Sequence, residues 1–155
     1  MANHLWVIVD IDLLLAQAGP QIERVDLRGR WILPGLINTH VHTSQQLGRG
    51  LGDDVSLLVW LHERIWPYES NMTEEDSYIS SLLCGIEQIR SGVTCFAEPG
   101  GQFVNGMGRA VTELGLRGVL AKSTMDMGEG LPPAWDETTQ KALDVQIENL
   151  KHWHN

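Results

Sequence analysis

Basic residues are scarce in this chain of 155 residues: Lys and Arg number 11 against 20 Asp and Glu, a formal net charge of −9. Nucleic-acid binding needs clustered Lys and Arg for phosphate contacts, and anionic membrane surfaces attract basic segments. Neither partner is expected. Cysteine is nearly absent, with Cys84 and Cys95 the whole set. Two cysteines build no disulfide framework, and their spacing matches no common zinc motif. They read as buried, reduced thiols of a cytoplasmic protein. No apolar run reaches the roughly 20 residues of a membrane-spanning helix. The most apolar early stretch, Leu5 to Ala18, is interrupted by Asp10 and Asp12. It lacks the basic leader and cleavage pattern of a signal peptide. Internal repeats and low-complexity tracts are missing too.

What is present is an ordinary globular composition, 43% apolar and 20% charged, long enough for a sizeable core. Residues 1–33 are rich in Val, Ile and Leu. Leu5 to Leu15 reads as one or two strands, Gly19-Pro20 as a turn, and Ile22 to Leu27 alternates apolar and polar side chains. This part is expected to be a small β segment. Leu36 to His42 then reads as a buried strand. A Gly-rich loop leads to a short helix through Leu57, Leu58, Leu61 and Ile65, which Pro67 should end. Thr73 and Asp76 have capping-box spacing ahead of a helix over Glu74 to Ser91. Its apolar stripe is Ile79, Leu82, Leu83, Ile86 and Ile89, and Gly92 suits its C-terminus. Val93 to Ala97 reads as a strand. Met107, Ala110, Val111 and Leu114 mark another helix, closed by Gly115. A third strand is expected within Arg117 to Ser123, and a last helix from about Asp136 with Leu143, Ile147 and Leu150 on one side. From residue 36 strands and helices alternate, which predicts an α/β fold with a parallel sheet. Reactive groups then belong at the carboxyl ends of the strands.

Asn38-Thr39-His40-Val41-His42 stands at such an end. Side chains two apart on a strand share a face, so His40 and His42 project together. Two neutral imidazoles on one face can grip a divalent metal. A hydrogen-bonded histidine pair without metal is the competing account. His152 and His154 repeat the spacing near the end of an expected helix, where residues two apart point roughly 200° apart. That pair reads as a solvated tail. Glu98 and Asp126 follow the second and third strands and are placed to support a site, though solvated loop acids are favoured. His62 reads as a packing or surface residue. Gly100-Gly101 lacks the Lys and spacing of a phosphate loop.

The run Leu33-Pro34-Gly35-Leu36-Ile37-Asn38-Thr39-His40-Val41-His42 resembles the signature of the amidohydrolase superfamily. Thr43 to Leu51, with Trp60-Leu61 and Trp66-Pro67-Tyr68-Glu69, is similar to one branch of it. That branch holds triazine chlorohydrolases, hydroxyatrazine-type aminohydrolases and methylthioadenosine/S-adenosylhomocysteine deaminases. The resemblance runs from about Val25 to the end of the chain. It implies a (β/α)₈ TIM-type barrel beside a small composite β-sandwich. It places one divalent metal, zinc or iron, on His40 and His42, and a substrate-contacting carboxylate at Glu69. It implies hydrolysis of C–N bonds other than peptide bonds, or of C–Cl bonds, in a small heterocycle. Homo-oligomers are common in that branch.

A whole barrel typically needs about 250 residues. The expectation here is therefore its N-terminal part: 1–33 a partial β-sandwich segment, 34–155 about three βα units. The family's further metal-binding histidines, late aspartate and catalytic glutamate have no counterpart in this sequence, so no catalytic residue is assigned. The alternative is a truncated, non-catalytic fragment that binds a full-length relative or has no activity.

Overall fold

The computed structural model describes residues 11–18, 20–21, 23 and 25–154. The chain divides into two compact units, Met1–Leu33 and Pro34–Asn155.

In the first unit α1 (Ile11–Ala18) is helical. The expected strand over Leu5 to Leu15 is thus overturned for Ile11–Leu15, and its earlier part lies outside the described residues. The run Leu13-Leu14-Leu15-Ala16-Gln17-Ala18 holds only good helix formers, and a short apolar run does not itself distinguish strand from helix. Pro20 and Gln21 form a turn, while Gly19 is outside the described residues. Of the expected alternating strand, residues 23 and 25–27 are irregular. Asp26 accepts from Arg28 Nε at 2.7 Å, and Leu27 O accepts from Arg30 N at 2.8 Å across Gly29, whose φ is 79°. These local side-chain and turn bonds compete with a sheet ladder. The described residues of this unit contain no strand.

The second unit is α/β. β1 (Leu36–Asn38), β2 (Val93–Gly101) and β3 (Arg117–Lys122) form a parallel sheet in the order β1-β2-β3. Leu36 pairs with Val93, and Cys95 pairs with Arg117. β1 is shorter than expected because the Asn38 side chain takes the His40 N–H at 3.2 Å. Alignment resumes at Val41, whose N–H reaches Ala97 O at 3.0 Å. Gly35 precedes β1 where a Cβ would meet Thr94 Oγ1 at 2.1 Å, so only glycine admits this approach.

α2 (Leu57–Val59), a π-helical turn (Trp60–Ile65) and α3 (Trp66–Ser70) form one continuous helical stretch. Pro67 does not end it, contrary to expectation. A proline lacks its N–H and crowds the preceding turn. The wide π turn just before it, marked by Trp66 N–H bonding to Leu61 O, absorbs both problems.

α4 (Glu74–Arg90) begins with the expected capping box: Asp76 N donates to Thr73 Oγ1, and Thr73 N donates to Asp76 Oδ2 at 2.8 Å. Its buried face is not the expected one. Ser77, Ser80, Ser81, Cys84, Gly85 and Gln88 point inward, while Ile79 and Ile86 stay 48% and 47% exposed. The cause is close packing against α5 (Val104–Leu114). A Cβ on Gly106 would lie 2.4 Å from Glu74 O, and one on Gly85 would lie 2.3 Å from Leu114 Cδ1. Leu114 fills the space over Gly85, and the inward hydroxyls have partners of their own: Ser77 donates to Phe103 O, Ser80 to Thr43 O and Ser81 to Thr43 Oγ1. α5 itself behaves as expected, with Met107 and Ala110 buried and Gly115 at φ 67° ending it. α6 (Thr139–Trp153) is capped by Thr138, and its Leu143, Ile147 and Leu150 are exposed while Ala142 is buried. Among the described residues, no helix is long and apolar enough to cross a membrane.

Candidate functional site

The site lies where β1 gives way to a 3-10 turn over Thr43–Gly48. The His40 and His42 rings come together edge to face, 5.2 Å between centroids. Both line a cavity of about 390 Å³ with Gln45, Arg49, Asp53 and Trp60. His40 is exposed and His42 half-buried. His42 Nδ1 is 3.2 Å from Glu98 Oε1, in range for charge attraction but off the line of a hydrogen bond.

Glu98 is on β2 and 1% exposed. Sequence favours a solvated loop acid here; the structure buries it at the centre of a polar network. Oε2 accepts from the Thr43 backbone N–H and from Thr43 Oγ1 at 2.9 Å. Oε1 accepts from Gly100 N at 3.2 Å. The inner face of α4 extends the network: Ser81 Oγ donates to Thr43 Oγ1 at 3.1 Å and Ser80 Oγ to Thr43 O at 2.9 Å. Gly100 therefore serves a carboxylate rather than a phosphate. Beside Glu98 the His42 imidazole is raised above its usual 6.5; burial opposes the rise, and the Gly100 backbone and Glu69 charge add to it.

Glu69 is on α3 and buried. Its Oε1 accepts from Gln45 Nε2 at 2.9 Å, which ties it to the turn that follows the histidines. Burial raises its carboxyl above 4.5; the Gln45 hydrogen bond and the attraction of His42 act the other way. The remaining candidates lie apart from this cluster. Asp126 is exposed and accepts from Thr139 Oγ1 at 2.6 Å. His62 is exposed and stacks on Trp66, 4.5 Å between centroids. His152 stands edge-on to Trp153, and His154 is exposed beyond the end of α6. Cys84 is buried and Cys95 half-buried, both as free thiols.

One observation bears on a metal: the two imidazoles converge on one cavity. His40 and His42 thus fit as two ligands of a divalent ion. The described residues hold no group of three or more His, Cys, Asp and Glu that would complete a ligand set.

The sequence pattern of the amidohydrolase family matches residues 31–154. The chain belongs to that family. It is 41% identical over 121 residues to a 5′-deoxyadenosine deaminase of Methanobrevibacter smithii, covering 74% of this chain and 28% of the relative. It is 36% identical over 132 residues to a 5-methylthioadenosine/S-adenosylhomocysteine deaminase of Desulforamulus reducens, covering 85% and 28%. The chain thus spans about 28% of the length of these curated amidohydrolase relatives. Among solved structures, an adenosine deaminase from Xanthomonas campestris with bound Zn superposes with a TM-score of 0.66 at 28% identity, over 79% of this chain and 27% of that one. A triazine hydrolase from Arthobacter aurescens gives 0.71 at 19% identity, over 79% and 31%, a likeness of fold alone.

Proposed function

We propose that this chain carries part of the active site of a metal-dependent hydrolase that removes an amino group from a heterocycle. Its three parallel strands would be the first three of a (β/α)₈ barrel, with residues 1–33 belonging to a small accessory domain. The observation that carries the functional reading is the convergence of His40 and His42 on one cavity with a buried carboxylate behind His42. His40 and His42 would hold one divalent ion, zinc or iron. Such an ion supplies a water acidic enough to act as hydroxide near neutral pH.

The chain's own residues bind and orient. Glu69, half of its carboxylate already engaged by Gln45, keeps Oε2 to accept from a substrate hydroxyl. Deaminase relatives acting on 5′-deoxyadenosine and methylthioadenosine support a purine nucleoside with a modified 5′ position as substrate. The net reaction takes up water at a ring carbon and releases ammonia. C–Cl hydrolysis of a related ring is the variant of the same chemistry. Small heterocycles are the expected partners, and a homo-oligomer and a cytoplasmic setting belong to the same proposal.

The second reading is a non-catalytic chain that associates with a longer relative. The missing third ligand among the described residues favours it, because catalytic zinc sites typically use three protein ligands. One experiment separates the two. The purified chain is loaded with Zn²⁺ or Fe²⁺, its metal content is measured, and ammonia release from 5′-deoxyadenosine is followed. Near one metal per chain, with turnover abolished by His40→Ala, supports the hydrolase. Absence of both metal uptake and turnover refutes it for the chain alone.

A further inference from the structure

Glu98 has a role that the reaction as described leaves unassigned. Its side chain is wholly excluded from solvent. Burying a carboxylate is costly unless it is paired and hydrogen-bonded, and an apolar residue of similar volume serves a purely structural position as well or better. The accounting of its oxygens is therefore informative. A carboxylate has about four lone-pair directions. Oε2 takes two donors from Thr43, and Oε1 takes the Gly100 N–H and faces His42 Nδ1 at 3.2 Å. Ser81 in turn donates to Thr43 Oγ1, fixing the hydroxyl that Glu98 uses. Three directions hold hydrogen bonds and the fourth faces the His42 ring. Any effect on the chemistry must pass through His42.

We propose that Glu98 is a positioning residue that holds the His42 ring through Nδ1–H, leaving Nε2 as the ring's only free lone pair. A neutral imidazole carries one N–H, and which nitrogen bears it depends on what each faces. His42 Nδ1 faces a carboxylate acceptor that is fixed from three other sides. His40, exposed, has no carboxylate within ion-pair range among the described residues. The two histidines of one motif are therefore inequivalent: His42 is preset in one tautomer and His40 is free to exchange. Carboxylate–histidine pairs of this kind orient metal ligands and raise their basicity. The inference rests on the proposed ligand role of His42 only for its consequence; the tautomer is a property of the metal-free chain.

The test is long-range ¹H–¹⁵N correlation spectroscopy of the ¹⁵N-labelled full chain, without metal, at alkaline pH where both imidazoles are neutral. His42 signals are assigned by their loss in His42→Asn. The expected result is His42 with its proton on Nδ1 and His40 as a mixture of both tautomers. A proton on Nε2 of His42, or the same mixture at both residues, overturns the proposal. Glu98→Gln, which sets an amide donor against N–H groups, should return His42 to a mixture and weaken Zn²⁺ binding about 10- to 100-fold. Glu98→Asp should recover part of both. An unchanged tautomer and zinc affinity in folded Glu98→Gln also overturns the proposal. If that variant fails to fold, the wild-type spectrum still decides. A preset His42 in a chain that takes up no zinc supports the positioning role and refutes the ligand role.

Discussion

The chain writes His-x-His twice, and the two copies behave differently. At His40-Val41-His42 the backbone leaves a strand, and the rings meet 5.2 Å apart over a shared cavity. At His152-Trp153-His154 the backbone leaves a helix. There His152 stands against its neighbour Trp153, whose Nε1 donates to Asn105 Oδ1 at 3.1 Å, and His154 turns off into extended backbone. Ligand spacing in sequence is therefore only half of a metal motif. Backbone periodicity decides whether the rings converge, and a buried acceptor decides whether one of them is oriented. The first copy has Glu98; the second has exposed surface.

Removing a ring should break the contrast most visibly. His42→Ala is expected to lower Zn²⁺ affinity by more than about 100-fold, since ligand loss exceeds the effect of losing its supporting partner. His152→Ala should leave affinity unchanged, and isothermal titration of both variants checks this. Removing the support comes next. Glu98→Ala strands buried donors of Thr43 and Gly100, and about 2–3 kcal/mol of stability should be lost in urea unfolding. The matching change at the tail, Asn105→Ala, removes one exposed acceptor and should cost at most about 1 kcal/mol.

Acidity sharpens the comparison further. Protons compete with metal for imidazole. Because Glu98 raises His42, zinc uptake should fall as pH drops through a value above 6.5, before ordinary histidines titrate. In the metal-free chain the sign is opposite. The stability that protonated His42 brings is full below 6.5 and is lost as pH rises through its raised folded value. Titrating zinc affinity and unfolding free energy over this window tests both. The smallest effect is expected at Glu69. Its carboxyl is raised by burial, so its contribution is favourable below 4.5 and lost as pH rises through the folded value. Glu69→Gln should therefore gain up to about 1 kcal/mol at neutral pH while weakening substrate binding. A loss of stability would show that Glu69 is held by more than Gln45.

Local chemistry announced much of this. The cap at Thr73 and Asp76, the stripe of α5 and its Gly115 stop, and the strand–helix alternation are short-range signals, and each was legible. So was the histidine pair. Three features were hidden, two because they depend on residues distant in the chain and one, at Pro67, because it turns on local helix geometry. Ile79 and Ile86 mark an apolar face of α4, but Phe103 and Thr43 supply the partners toward which Ser77 and Ser81 turn inward. Pro67 reads as a stop only when the helix before it is assumed to have α geometry. Glu98 looks like any acid after an apolar strand until β1 and α4 bring Thr43 and Ser81 to it. Over Ile11–Leu15 the apolar run reads as strand and is helix, because apolar content alone does not separate the two.

The strand register also biases how the sheet assembles. Leu36 finds Val93 across a stretch of chain more than twice as long as that joining Cys95 to Arg117. Closing the longer loop costs more entropy, and distant pairings form more slowly. β2, α5 and β3 can therefore assemble as a nucleus while β1 is still searching. Glu98 is held only once Thr43 reaches it, and Thr43 follows His42 directly in the chain, so the ring and the carboxylate that faces it lock in one step as β1 docks.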